Sequence, residues 1–138
     1  MRLTTPGHLV LAAMLMLPAG WLAAAEDETR VEAVHFAKGA SSKTVTGTIE
    51  GWQAVEYRLG ARAGQTMKVT LRSNNSANFF NVTGPGTDTA LFIGADQGNH
   101  FSRSLPADGT YKVLVYLMRN EARRGESADY SLSFSITE

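Results

Sequence analysis

Two arginines four positions apart, Arg119 and Arg123, with Asn120 between them, are the residues of this chain best suited to recognition chemistry. A guanidinium is planar, permanently charged and forked, so it meets a carboxylate through two parallel hydrogen bonds. The segment Arg119–Ser127 that carries them is too long for a tight hairpin turn and too short for a stable isolated helix. If it takes one helical turn, Arg119 and Arg123 point the same way. Trp52, directly after Gly51 in a turn, is a large aromatic where no core position is expected. Exposed Trp and Arg dominate interface hot spots. Two readings stay open for each: the arginines grip a partner or form a solvated tip paired with Glu121 and Glu126, and Trp52 contacts a partner or caps one end of the fold.

Catalysis finds little support. His35 and His100 sit in no catalytic motif, and no Gly-x-Ser-x-Gly elbow is present. Asp88, Asp96 and Asp108 fall in loops, where Asp beside Gly is ordinary turn chemistry rather than a glycosidase pair. Asp96-Gln97-Gly98-Asn99 offers oxygens around a glycine but lacks the spacing and terminal Glu of a calcium-binding hand. The absence of Cys removes disulfides, thiol nucleophiles and Cys-based zinc sites. Thirteen basic against thirteen acidic side chains give no basic excess for nucleic acid. The expectation is a binding protein, not an enzyme, with no metal and no cofactor.

These loops need a scaffold, and the chain of 138 residues suits one domain. Arg2, an uncharged apolar run from His8 to Leu22, Ala23-Ala24-Ala25 and an acidic start at Glu26 have the layout of a secretory signal peptide. The expected division is a signal peptide over 1–25 and a domain over 26–138, exported to the periplasm. The apolar run falls short of the roughly 20 residues needed to span a bilayer, so no membrane anchor is expected. Asn74-Asn75-Ser76 and Asn81-Val82-Thr83 match glycosylation sequons but read as plain turn and strand residues in a bacterial product.

From there the pattern is of strands. Met67, Val69 and Leu71 alternate with Lys68, Thr70 and Arg72; Tyr130, Leu132, Phe134 and Ile136 alternate with Ser131, Ser133, Ser135 and Thr137. Val55, Tyr57 and Leu59 do the same. Further candidates are 31–37, 43–50, 78–83, 89–93 and 100–105. Residues 111–118 are apolar on both faces, which predicts a central strand covered twice. Gly39, Gly51, Gly64, Gly84-Pro85-Gly86, Gly98 and Asp108-Gly109 punctuate the runs. About nine short strands and no convincing helix predict an all-β fold, an antiparallel two-sheet β-sandwich of jelly-roll type.

The segment Leu105-Pro106-Ala107-Asp108-Gly109-Thr110-Tyr111-Lys112-Val113, followed by Arg119-Asn120-Glu121-Ala122-Arg123, resembles periplasmic inhibitors of goose-type lysozyme. So do Phe36 to Ser42 and the stretch from Gly51-Trp52 to Gly64-Gln65. More broadly the chain looks like the β-sandwich domains at the C-termini of secreted peptidase precursors, a structurally alike and functionally varied group. The resemblance implies an inhibitor, monomer or weak dimer, that inserts a loop into the acidic active-site cleft of lysozyme. It places Arg119, Asn120 and Arg123 on that loop and Trp52 where relatives carry an aromatic. It also implicates Asp108, Gly109 and Tyr111, which match a Ser-Gly-x-Tyr motif with Asp in place of Ser; an acid there would repel an acidic cleft that it faced. The competing expectation is a non-catalytic envelope module that binds a glycan or protein.

Overall fold

Burial alternates residue by residue along the long strands, and the alternation assigns each apolar side chain to one interior. The computed structural model describes residues 28–138, so the expected signal peptide lies outside the described residues. Nine strands follow in order: β1 (Thr29–Ala33), β2 (Ser42–Glu50), β3 (Ala54–Ala61), β4 (Thr66–Ser73), β5 (Asn78–Thr83), β6 (Ala90–Ile93), β7 (His100–Ser104), β8 (Gly109–Leu117) and β9 (Ser127–Thr137). Two single-turn helices interrupt them, α1 (Gly94–Gln97) and α2 (Arg119–Arg123).

The strands make two facing sheets, one ordered β1-β3-β8-β5-β6 and the other β2-β9-β4-β7. Every described pairing is antiparallel except β1 with β3, which run parallel from Thr29↔Ala54 to Ala33↔Arg58. The inward faces supply Tyr57, Phe80, Tyr111, Val113 and Val115 from the first sheet and Ile49, Met67, Val69, Leu132 and Phe134 from the second. Tyr57 meets Phe134 edge-on across the interior, with ring centroids 5.9 Å apart. Phe80, Phe92 and Phe101 form a second aromatic cluster.

One polar contact crosses this interior. The hydroxyls of Tyr57 and Tyr130 lie 2.7 Å apart, joining β3 to β9. Gly47 on β2 makes the room, because a Cβ there would stand 2.6 Å from the Tyr130 hydroxyl. Burial pushes both phenols above their usual range, and for Tyr57 the bond to Tyr130 adds to the rise. The unfolded chain ionises near pH 10 while the folded pair stays neutral, so the pair's stabilisation is whole below about pH 10 and is lost as pH rises beyond it. An alkaline titration followed by ultraviolet absorbance is therefore expected to show these two tyrosines ionising only together with unfolding.

Three expectations need correction. The first strand is Thr29–Ala33 rather than 31–37, because pairing with β3 begins at Ala54 and ends where Val34 turns into the core. Strand β8 is central but covered once: Lys112, Leu114 and Tyr116 face outward and are half-exposed, with no second layer over them. The helical turns α1 and α2 have no helix pattern in the sequence. Four or five residues are too few to show a period, and each is imposed by its neighbours.

Candidate functional site

The arginine segment leaves β8 at Leu117 and folds into α2 against one end of the sandwich. Ala122, 3% exposed, is the foot of the turn pressed onto the core. Its amide donates to Met118 O at 2.9 Å, Gly125 N to Ala122 O at 3.0 Å, and Glu126 N to Glu121 O at 3.1 Å. Gly125 ends the turn at φ +70°, a left-handed conformation that other residues adopt at a cost.

The connection from β2 to β3 docks on it. Gly51 N donates to Glu126 O at 2.8 Å, and Gln53 N to Glu50 O at 3.1 Å closes the turn around Gly51 and Trp52. Gly51 has φ +61°, a left-handed conformation that glycine adopts without the cost other residues meet. Trp52 is left 59% exposed. Between it and Arg123 lies a shallow groove of about 360 Å³, lined also by Glu28, Glu50, Gln53 and Ala122.

The charges divide unequally. Arg124 takes both neighbouring acids, with Nη2 at 3.1 Å from Glu121 and Nε at 3.4 Å from Glu126. Arg119 and Arg123 have no carboxylate partner among the described residues. Arg123 Nη2 instead donates to Asn120 Oδ1 at 2.9 Å, which leaves its charge uncompensated and its fork partly oriented. The tip pairing anticipated for the arginines thus falls to Arg124 alone.

Asp108, Gly109 and Tyr111 are elsewhere. They open β8, whereas Arg119 follows its end, so nine residues at about 3.3 Å each separate the two groups by roughly 25–30 Å. Asp108 Oδ1 accepts the Ala63 amide at 2.7 Å. Tyr111 is buried, and its hydroxyl donates to Ala107 O at 2.6 Å. A Cβ on Gly109 would stand 2.7 Å from Pro85 Cβ. Trp52, Arg119, Asn120 and Arg123 are together at one end, and these three hold loops at the other.

The far end also carries the larger groove, about 740 Å³, lined by Phe36, Leu59, Gln65 and Ile136 among others. Its polar groups already pair with one another, Glu138 with Arg62 at 2.8 Å and with Gln65 at 2.7 Å. His100 Nδ1 lies 2.8 Å from Thr70 Oγ1 on the neighbouring strand, and no group of three metal-ligating side chains converges among the described residues. The β4–β5 loop, which holds the Asn74-Asn75-Ser76 sequon, lies against both stems of the arginine turn; its polar residues carry no sequence signal that separates them from ordinary turn formers.

No family model matches the chain. An inhibitor of g-type lysozyme from Escherichia coli (strain K12) is 33% identical over 106 residues, covering 75% of this chain and 78% of that protein. The crystal structure of Aeromonas hydrophila PliG, a periplasmic lysozyme inhibitor of g-type lysozyme, is 42% identical with a TM-score of 0.73, covering 80% of this chain and 99% of that one. Its Salmonella Typhimurium counterpart is 30% identical with a TM-score of 0.63, over 78% and 98%. The pre-peptidase C-terminal domain of a Bacillus anthracis collagenase, 14% identical with a TM-score of 0.51 over 80% and 96%, shares the fold alone. At this identity and coverage the sequence relationship and the sandwich agree, and the chain belongs to the family of periplasmic inhibitors of g-type lysozyme.

Proposed function

We propose that this protein works in the periplasm as a non-catalytic inhibitor of g-type lysozyme, and that Arg119 and Arg123, flanked by Asn120 and Trp52, enter the acidic cleft of the enzyme. The relatives' names support the partner and the compartment. The observation that carries the contact is the division of charge: Arg124 takes Glu121 and Glu126, the two acids of its own segment, and Arg119 and Arg123 have no ion pair among the described residues, at one end of the sandwich. Glycoside hydrolysis depends on carboxyl groups poised in a cleft. A guanidinium delivered there by a preformed turn makes charged hydrogen bonds shielded from water, each contributing about 1.5–3 kcal/mol. Trp52 adds a rigid apolar surface with little conformational entropy to lose. A site confined to one end asks nothing of a second copy.

On this reading Asp108, Gly109 and Tyr111 are architecture. Asp108→Ser is expected to leave inhibition unchanged and to cost about 0.5–1.5 kcal/mol in chemical denaturation, through the lost bond to Ala63 N. Tighter inhibition by the variant would put Asp108 at the interface. The leader is expected to be cleaved after Ala25, and intact-mass measurement of periplasmic protein starting at Glu26 checks it.

Inhibition of cell-wall lysis by goose-, chicken- and invertebrate-type lysozymes, measured in parallel, tests the function. The goose-type enzyme is expected to be blocked at the lowest concentration. Failure against all three would leave the envelope-module reading in its place.

A further inference from the structure

We propose that the β4–β5 connection, through Asn75 in the loop and Asn78 at the start of β5, is the positioning element that fixes the arginine turn for its partner, an inference that rests on the contact proposed above. The loop reaches both stems of the turn. On the β8 side, Ala77 O accepts Met118 N at 3.0 Å and Asn78 Nδ2 donates to Tyr116 O at 3.0 Å, either side of the last residue of the strand. On the β9 side, Asn75 Nδ2 donates to Ser127 O at 3.1 Å, while three bonds join Asn74 and Asp129: Asp129 N to Asn74 Oδ1 at 3.0 Å, Asn74 N to Asp129 O at 3.1 Å and Asn74 Nδ2 to Asp129 Oδ2 at 3.4 Å. The loop is itself braced, with Ala77 N on Asn75 Oδ1 at 2.9 Å and Asn78 N on Asn75 O at 3.1 Å.

A five-residue turn cannot hold its own shape, and α2 has no side-chain cap at its start. Its geometry comes from what grips its stems. Asn78 points the same way by its cost: it is fully buried, and its Oδ1 has no hydrogen-bond partner. A buried carbonyl without a donor is destabilising, and a leucine of similar size would fill the space without that penalty. What the amide alone supplies is the tie from Nδ2 to Tyr116 O, three residues before Arg119. Preorganised arginines lose less freedom on binding, so loosening the stems weakens affinity without removing a contact.

Asn75→Ala and Asn78→Leu test this in the full mature protein by inhibition of g-type lysozyme, thermal midpoint, and amide hydrogen exchange over residues 119–126. Asn75→Ala is expected to weaken inhibition about tenfold, the worth of one well-made hydrogen bond, with faster exchange across the turn. Asn78→Leu is expected to do the same while its midpoint holds or rises, a split that a purely structural role does not give. In an Arg123→Ala background the effect of Asn75→Ala should shrink to under about twofold, because it acts through the arginine. Unchanged exchange over 119–126, or an equal loss with and without Arg123, overturns the proposal. If Asn78→Leu does not fold, Asn75→Ala decides alone. Full inhibition by a variant lacking both Arg119 and Arg123 would sink the contact itself, and the exchange data would still report whether the loop holds the turn.

Discussion

Replacing Arg119 and Arg123 together by Ala is expected to weaken inhibition at least about a hundredfold, the sum of two shielded, charged hydrogen bonds. Its thermal stability should stay within about 0.5 kcal/mol of the parent, as for exposed residues away from caps and cores. The reason lies in who pairs with whom: neither arginine has a carboxylate among the described residues, and the foot of the turn is Ala122, which the change leaves in place. Lysine at both positions restores charge without the fork, so an intermediate inhibition is expected. Measuring inhibition and thermal midpoint on the same preparations separates a lost contact from a lost fold. A double-Ala variant that inhibits like the parent would make the turn a bystander.

The largest effect on stability is expected at Phe134. It is 1% exposed in the middle of β9, between β2 and β4, with its ring edge-on to Tyr57 of the opposite sheet. Phe134→Ala should cost about 3–5 kcal/mol, since the cavity lies where two sheets meet and neither can close it. Against a total of about 5–15 kcal/mol for a domain, that is a fifth or more of the reserve. Ser135→Ala, next along the strand and facing out, should stay within about 0.5 kcal/mol. Urea midpoints of the two variants check the pair; similar losses would mean that the alternation does not mark burial.

That alternation is why most of the fold could be read without coordinates. Tyr130 to Thr137 shows a two-residue period because one face packs and the other meets water. Pairing partners leave no such mark, and nothing in Thr29–Ala33 announces a parallel neighbour in β3. Leu114 and Tyr116 read as covered because sequence reports apolarity, not the presence of a second layer. The site was half legible. Arg119, Arg123 and Trp52 stand out as large, charged or aromatic groups in turns, whereas Asn75 and Asn78 act through amide bonds to backbone that composition cannot show. The strand predicted between Asp108 and Arg119 already implies that the two lie at opposite ends of the fold.

Strand β1 has a consequence for the life of the fold. All five of its residues are exposed, and among the described residues its one partner strand is β3, beyond the whole of β2 in sequence. A parallel edge made by distant segments is among the last features to form and the first to open, since its closure entropy is offset by little burial. Its side chains Arg30 and Glu32 bond to each other at 2.9 Å and reach no other strand by a described hydrogen bond. The edge also runs into the site: Glu28, just before β1, accepts Gln53 Nε2 at 3.0 Å and lines the same groove as Trp52 and Arg123, so loosening of this flank reaches the surface that the arginines share.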